Sequence, residues 1–318
     1  MTDDQPSAFK DPEAIDAPAA PPPDTHEKGK HKKKKPPPEG LWRGWIRPLL
    51  TVILVVTALR SSLVDWNDVP TGSMKPTVAI GDRIVVNKLA YGFNLPFNGP
   101  KLAIPFTQTT VAWPLDFLPG FYYAAPKRND IVTFWKPGGL YEPAYQTLLQ
   151  AGIPEAMSRE RITVTDPGIR MVKRVVAVPG DTVQVVPVVE KIDGRAFAFS
   201  KLVINDEEAL YTDKRGIGLT ETILGESRRV AYTRNDDGKL LHPCARAFGP
   251  VTLDEDEYLM IGDNRDNSQD GRFFGPVTLK QITGKAKFVA VSFKGGYFNP
   301  AWGRFFKGFD KDLKPSGG

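Results

Sequence analysis

Arg170-Met-Val-Lys-Arg-Val-Val-Ala-Val178 is followed by Pro179-Gly180-Asp181 and then by Thr182-Val-Gln-Val-Val186. Two runs rich in β-branched residues on either side of a proline-glycine turn read as strand, turn, strand. Side chains alternate across a strand, so Lys173, set between Val172 and the run Val175 to Val178, can point into an apolar site while Arg174 points away. Working outward, Asp82-Arg-Ile-Val-Val-Asn-Lys88, Asp130-Ile-Val-Thr-Phe134 and Ala286-Lys-Phe-Val-Ala-Val-Ser292 carry the same signal. The chain of 318 residues holds 29 glycines and 29 prolines, no repeat of fixed period and little helical periodicity, which predicts a mainly β fold. A short helix is expected near Glu142 to Leu149, within a stretch, Gly138 to Pro167, that says little about chemistry.

Residues 1–40, rich in Pro, Ala, Asp and Lys, read as a disordered basic tail. Six lysines lie between Lys28 and Lys35, so the net charge of +5 is local and sits beside an apolar run, a membrane-topology signal that does not call for nucleic acid. The uncharged run Pro48 to Leu59 is short for a span and would also suit a leader's apolar core. Its flanks favour a span: Trp45 to Trp66 would cover about 31 Å as helix, close to the roughly 30 Å of a hydrocarbon core. Arg47 and Arg60 would snorkel to opposite interfaces beside Trp42, Trp45 and Trp66. The expected organisation is a cytoplasmic tail, a single transmembrane helix over 41–66, and an extracytoplasmic domain over 67–318 with a smaller β subdomain inserted at 185–255. Phe93 to Pro126 is aromatic and proline-rich, which forbids a second membrane helix. It reads either as an apolar surface dipping into the membrane interface or as a loop packed on its own domain.

Only three histidines exist: His26 and His31 in the tail and His242 beside the sole cysteine, Cys244. A Ser-His-Asp triad and a histidine-bearing zinc site are both poorly supplied, no intramolecular disulfide can form, and no metal or cofactor is expected. Ser73, in Val69-Pro-Thr-Gly-Ser-Met-Lys-Pro-Thr77, and Lys173 then point to Ser-Lys hydrolysis. A lysine serves as base only when neutral; lowering its pKa from about 10.4 to roughly 7 or 8 needs desolvation of about 3 to 5 kcal/mol. An apolar strand environment supplies this.

Five segments together resemble bacterial type I signal peptidase, in family order behind one span. They are the Ser73 segment, Gly81-Asp-Arg-Ile-Val-Val-Asn-Lys-Leu-Ala-Tyr-Gly92, Pro126-Lys-Arg-Asn-Asp-Ile-Val-Thr-Phe134, the Lys173 segment, and Gly262-Asp-Asn-Arg-Asp-Asn-Ser-Gln-Asp-Gly-Arg-Phe-Phe-Gly275. The resemblance implies a membrane-bound endopeptidase that removes signal peptides from exported preproteins after an Ala-x-Ala-like pattern, with Ser73 as nucleophile and Lys173 as general base. It further implies that Ser268 orients the lysine amine, and that Ser73 N–H and the Thr71 hydroxyl hold the oxyanion. Thr71 stands where many relatives have serine. Gly72 would allow close backbone approach, and Arg174, Asp263, Asp270 and Arg272 would brace the site as ion pairs. Gly271 replaces a serine common in relatives, and Asn67 an aromatic residue. Val69, Pro70, Met74, Val78, Met171 and Val172 are expected to line shallow pockets for small side chains, with substrate added as a strand beside Val69 and Arg170 to Val172.

Three other readings compete with this one. A penicillin-binding-type hydrolase needs Ser-x-x-Lys, but Pro76 stands three positions after Ser73. A self-cleaving repressor-like protein has no use for a span. A catalytically inactive membrane-anchored scaffold or substrate-binding homologue would keep the fold while losing the chemistry.

Overall fold

The computed structural model describes residue 40 and residues 42–95, 101–103, 110–112, 120–150, 152–162, 168–192, 195–214, 218–232, 247–295 and 299–309. The chain divides into two units, 1–47 and 48–318. The tail expected over 1–40 lies outside the described residues except for Gly40, as do His242 and Cys244.

A π-helical turn, Trp42–Ile46, runs into an α-helix, Arg47–Ser62. Pro48 stands at the junction where the π-helical winding gives way to the α-helix. Together the two form one helix of 21 residues, Trp42–Ser62, long and apolar enough to cross a membrane, and its Leu49, Leu50, Leu54 and Leu59 are exposed. The helix expected over 41–66 thus ends early. Trp66 lies in a strand, Val64–Asp68, which pairs antiparallel with Asp82–Asn87. Asp65 explains the stop. Its buried carboxylate takes Arg60 Nη2 at 2.8 Å and Arg170 Nη1 at 2.6 Å, with Lys88 Nζ at 3.9 Å. Such a centre needs residue 65 in the sheet. Arg60, read as snorkelling, instead turns onto Asp65 and lies 4.1 Å from the Trp66 ring centre.

The main sheet is antiparallel, in the order Val64–Asp68, Asp82–Asn87, Ile282–Ser292, Ile131–Trp135, Arg170–Ala177, Glu257–Ile261, Val277–Thr278, with Lys307–Gly308 on the flank of Ile282–Ser292. Both faces are covered, so neighbouring strand residues serve different cores. Val132 packs with Phe134, Val175 and Met260, whereas Ile131 packs with Ile84, Val86 and Val289. This burial explains why the central strands read as continuous apolar runs. At the turn, Asp181 N donates to Val178 O at 3.1 Å and Gly180 takes φ +82°, a conformation that favours glycine.

Beyond the turn the chain forms two further sheets. Thr182–Ile192 and Arg195–Ile204 make a long hairpin with Glu207–Glu208 and Phe248–Thr252 at its edges; Leu210–Lys214, Gly218–Ile223 and Glu226–Val230 make a three-stranded meander. These strands run from 182 to 252 rather than from 185 to 255. They share a core with the main sheet: Val183, Leu202 and Ile223 pack in one cluster with Val176, Ala177 and Leu259. Within 93–126 the described backbone forms two short ribbons, Gly92–Phe93 with Phe121–Tyr122 and Lys101–Ala103 with Thr110–Ala112. The helix expected near 142–149 is Glu142–Gln150, and it packs Ala144, Tyr145 and Leu148 onto Phe273.

Candidate active site

Ser73 sits in the connection between Val64–Asp68 and Asp82–Asn87. That connection folds back on the sheet because Val69 N donates to Asp82 O and Gly81 N to Val69 O. Gly81 is required: a Cβ there would lie 2.0 Å from Phe293 O, at φ +86°. Arg304, far along the chain, ties the connection down by donating to Asp82 Oδ1 at 2.8 Å and to Thr77 O at 3.0 Å.

Lys173 lies in the Arg170–Ala177 strand opposite Val132 and is 2% exposed. Its Nζ is 2.5 Å from Ser73 Oγ. Burial pushes the amine down to about 8, against the pull of Asp270 and Asp263 and with help from Arg272. Both carboxylates would favour a charged lysine, yet each has its own guanidinium. Arg174 holds Asp263 through Nε at 2.8 Å and Nη2 at 2.7 Å, and Arg272 holds both oxygens of Asp270 at 2.8 Å. Burial favours a protonated Asp270, but Arg272 and the Gly262 N–H outweigh it and hold the carboxyl below its ordinary range. The four residues expected as braces form two ion pairs, Arg174 with Asp263 and Arg272 with Asp270, so among the described residues each carboxylate near Lys173 is engaged by its own guanidinium.

Thr71 Oγ1 lies 3.4 Å from Ser73 Oγ. Among the described residues Ser73 N–H makes no backbone hydrogen bond, whereas Gly72 O accepts from Asn264 Nδ2 and Ser73 O from Asn264 N, both at 3.0 Å. A trans peptide sets its C=O and N–H antiparallel, so the hold on Gly72 O also fixes where Ser73 N–H points. Asn264 stands inside the quoted 262–275 segment, but its spacing says nothing of this role. Gly262 is as tightly placed: a Cβ would meet Ser268 Oγ at 2.2 Å and Ser73 O at 2.6 Å. At Gly271 a Cβ would meet Leu259 Cδ1 at 2.8 Å and Met260 O at 2.9 Å, so the serine of relatives has no room here.

Three expectations change. Ser268 is buried beside Gly262, and its side chain is turned toward the Asp270 carboxylate, which it helps to hold ionised, rather than toward Lys173. Met74 and Val78, 1% and 0% exposed, are core residues with Ile84 and Val86, and Val69 is buried with them. An apolar motif residue does not reveal from sequence whether it faces a cleft or the core. Val69 also spends both backbone groups on the 81–82 turn and has none left for a substrate strand. What remains open is Pro70, exposed, and Met171 and Val172, half-buried. Ile80, 52% exposed, joins them, since a Cβ on Gly72 would lie 3.7 Å from its Cδ1. Among the described residues Arg170 to Val172 pair with Trp135 to Thr133 on one side only, because Glu257–Ile261 meets this strand from Arg174 onward.

The family model described as signal peptidase, peptidase S26, matches residues 42–291. Among curated proteins, signal peptidase I of Pseudomonas aeruginosa is 29% identical over 255 residues, covering 76% of this chain and 69% of its own. Signal peptidase I of Haemophilus influenzae is 27% identical over 272 residues (78% and 69%), and that of Aquifex aeolicus 26% over 261 (79% and 85%).

Proposed function

The chain belongs to the signal peptidase family, peptidase S26, as a serine endopeptidase that cleaves signal peptides, and on that premise we propose that it does so by a Ser73-Lys173 dyad acting after Ala-x-Ala-like sequences. The observation that carries the mechanism is the 2.5 Å contact between Ser73 Oγ and a buried amine that burial lowers to about 8, within reach of deprotonation near neutral pH. Neutral Lys173 takes the Ser73 proton as Oγ attacks the scissile carbonyl carbon. The negative charge that develops on the carbonyl oxygen is met by Ser73 N–H, aimed by Asn264, and by the Thr71 hydroxyl. As the intermediate collapses, Lys173 returns the proton to the leaving amine; it then deprotonates the water that frees Ser73. Pro70, Ile80, Met171 and Val172 form a shallow apolar shelf for small side chains, and the open edge at Arg170 to Val172 accepts the substrate backbone.

The helix Trp42–Ser62 supports a single-pass anchor in the bacterial cytoplasmic membrane. Its exposed leucines are covered by the phospholipid bilayer, and the lysines of the tail hold the N-terminus in the cytoplasm. The catalytic domain then lies on the extracytoplasmic face, with Ser73 close to the membrane exit. The inactive-scaffold reading is not favoured, because the nucleophile and base are assembled. The test is cleavage of an Ala-x-Ala preprotein by the detergent-solubilised chain. Wild type is expected to cut at that bond, whereas Ser73→Ala and Lys173→Ala bind but do not cut. Cleavage surviving in either variant would overturn the dyad.

A further inference from the structure

The three-stranded meander 210–230 supplies neither member of the dyad, yet it buries a carboxylate. Glu221, 0% exposed, accepts from Arg228 Nε at 2.6 Å, from Arg265 Nη1 at 2.5 Å and Nη2 at 2.7 Å, and from Tyr211 OH at 2.6 Å. Burial favours its protonation, but the two guanidiniums outweigh that and keep it ionised. One carboxylate between two buried arginines is weak as a stabilising device. As a locating device it is well formed, because a fork of two parallel hydrogen bonds fixes a guanidinium in direction as well as distance.

What is located is the loop that holds the nucleophile. Arg265 adjoins Asn264, whose side chain and N–H hold Gly72 O and Ser73 O. The backbone around it is gripped from the same meander, since Ala231 N donates to Asp263 O and Arg265 N donates to Ala231 O, both at 2.8 Å. A second arm runs from Arg228 Nη1 to Asn129 Oδ1 at 2.8 Å, and Asn129 O accepts from Arg174 beside Lys173 at 2.9 Å. We propose that Glu221 is a positioning residue for catalysis: through Arg265 it sets Asn264, and through Asn264 the direction of the Ser73 N–H that receives the oxyanion. The inserted meander is then part of the catalytic apparatus, although it supplies neither Ser73 nor Lys173.

This rests on the dyad reading, and the test separates the two. The whole chain in detergent is given an Ala-x-Ala preprotein, and loss of cleavage in Lys173→Ala judges the dyad alone. Glu221→Gln is expected to lower kcat roughly ten- to hundredfold, the size of effect that misplacing a reacting group produces, with KM within about twofold. Asn264→Ala should lose a similar factor. If Glu221 acts through Asn264, the double variant is no slower than Asn264→Ala alone, because the two losses share one route. Should the thermal transition of Glu221→Gln collapse, Tyr211→Phe replaces it in the cycle. That change removes one hydrogen bond from Glu221 and leaves every charge in place, and it is expected to cost about threefold in kcat, a loss absent on the Asn264→Ala background. Losses that multiply, or an unchanged kcat per active molecule, would make Glu221 a merely structural residue and overturn the proposal.

Discussion

Among the described residues two lysines have amines pushed down to about 8, and of these two only Lys173 faces a hydroxyl. Lys88 stands at the exit of the apolar helix. Burial and the Arg170 guanidinium lower its amine, and Asp65 pulls the other way. Its Nζ donates to Ser61 O at 3.0 Å and lies 3.9 Å from Asp65, so it caps the helix end and joins a cluster of charges. Lys173 is lowered chiefly by burial, its nearby carboxylates are taken by Arg174 and Arg272, and its Nζ faces a hydroxyl that has a proton to give. The same depressed amine is a joint in one place and, in the proposed mechanism, a base in the other. The partner decides, not the pKa: proton transfer needs a donor in reach and an electrophile beyond it.

The sharpest way to break this contrast is to remove each amine in turn. Lys173→Ala should lower kcat by about 10³-fold or more, whereas Lys88→Ala, measured at saturating preprotein, should stay within roughly threefold. Comparable losses would make the contrast wrong. A smaller effect tests the geometric half. Thr71→Val keeps the shape of the side chain beside Ser73 and removes its hydroxyl, so kcat should fall about 10²-fold with KM little changed, while Thr71→Ser should recover most of the rate. Smallest in rate but clear in stability is Asp65→Asn, which leaves Arg60, Arg170 and Lys88 facing one another without their carboxylate. Because Arg60 and Arg170 keep some solvent, the loss is expected at about 2 kcal/mol, below that of a fully enclosed pair, and is read as a lower Tm. Burial favours a protonated Asp65, but Arg170, Lys88 and Arg60 outweigh it and hold the carboxyl below its ordinary value of 3.8. Its contribution is therefore present above that pH and lost as pH falls through the lowered value.

How much of this was legible depends on whether a feature is local. The strands around Lys173, Ile131 and Ile84 declare themselves because buried β-branched runs between turn residues have few other uses. The proposed dyad is readable from a shortage of histidine and the context of two segments, and the structure brings its two side chains together. The end of the helix did not, since Trp66 next to an apolar run looks like an interfacial tryptophan. Only the pairing of Val64 with Asn87 and the salt links of Asp65 to distant Arg170 pull that stretch into the sheet. Met74 and Val78 were misread for a related reason, as both belong to a reactive motif whose apolar side chains face inward. Leu210-Tyr-Thr-Asp-Lys214 carries little strand signal, and nothing near Glu221 in sequence says that Arg265 will meet it. Ion pairs made across such separations are written in the fold, not in any local pattern.

The account is tested most directly by the pH dependence of kcat/KM for preprotein cleavage, measured on wild type and Lys88→Ala side by side between about pH 6 and 10. A charged Lys173 cannot take the serine proton, so the rate should rise as pH climbs through about 8 and level off above it, with the same midpoint in both proteins. A midpoint near the ordinary lysine value of 10.5, or one that moves when Lys88 is removed, would contradict the assignment of Lys173 as the neutral base.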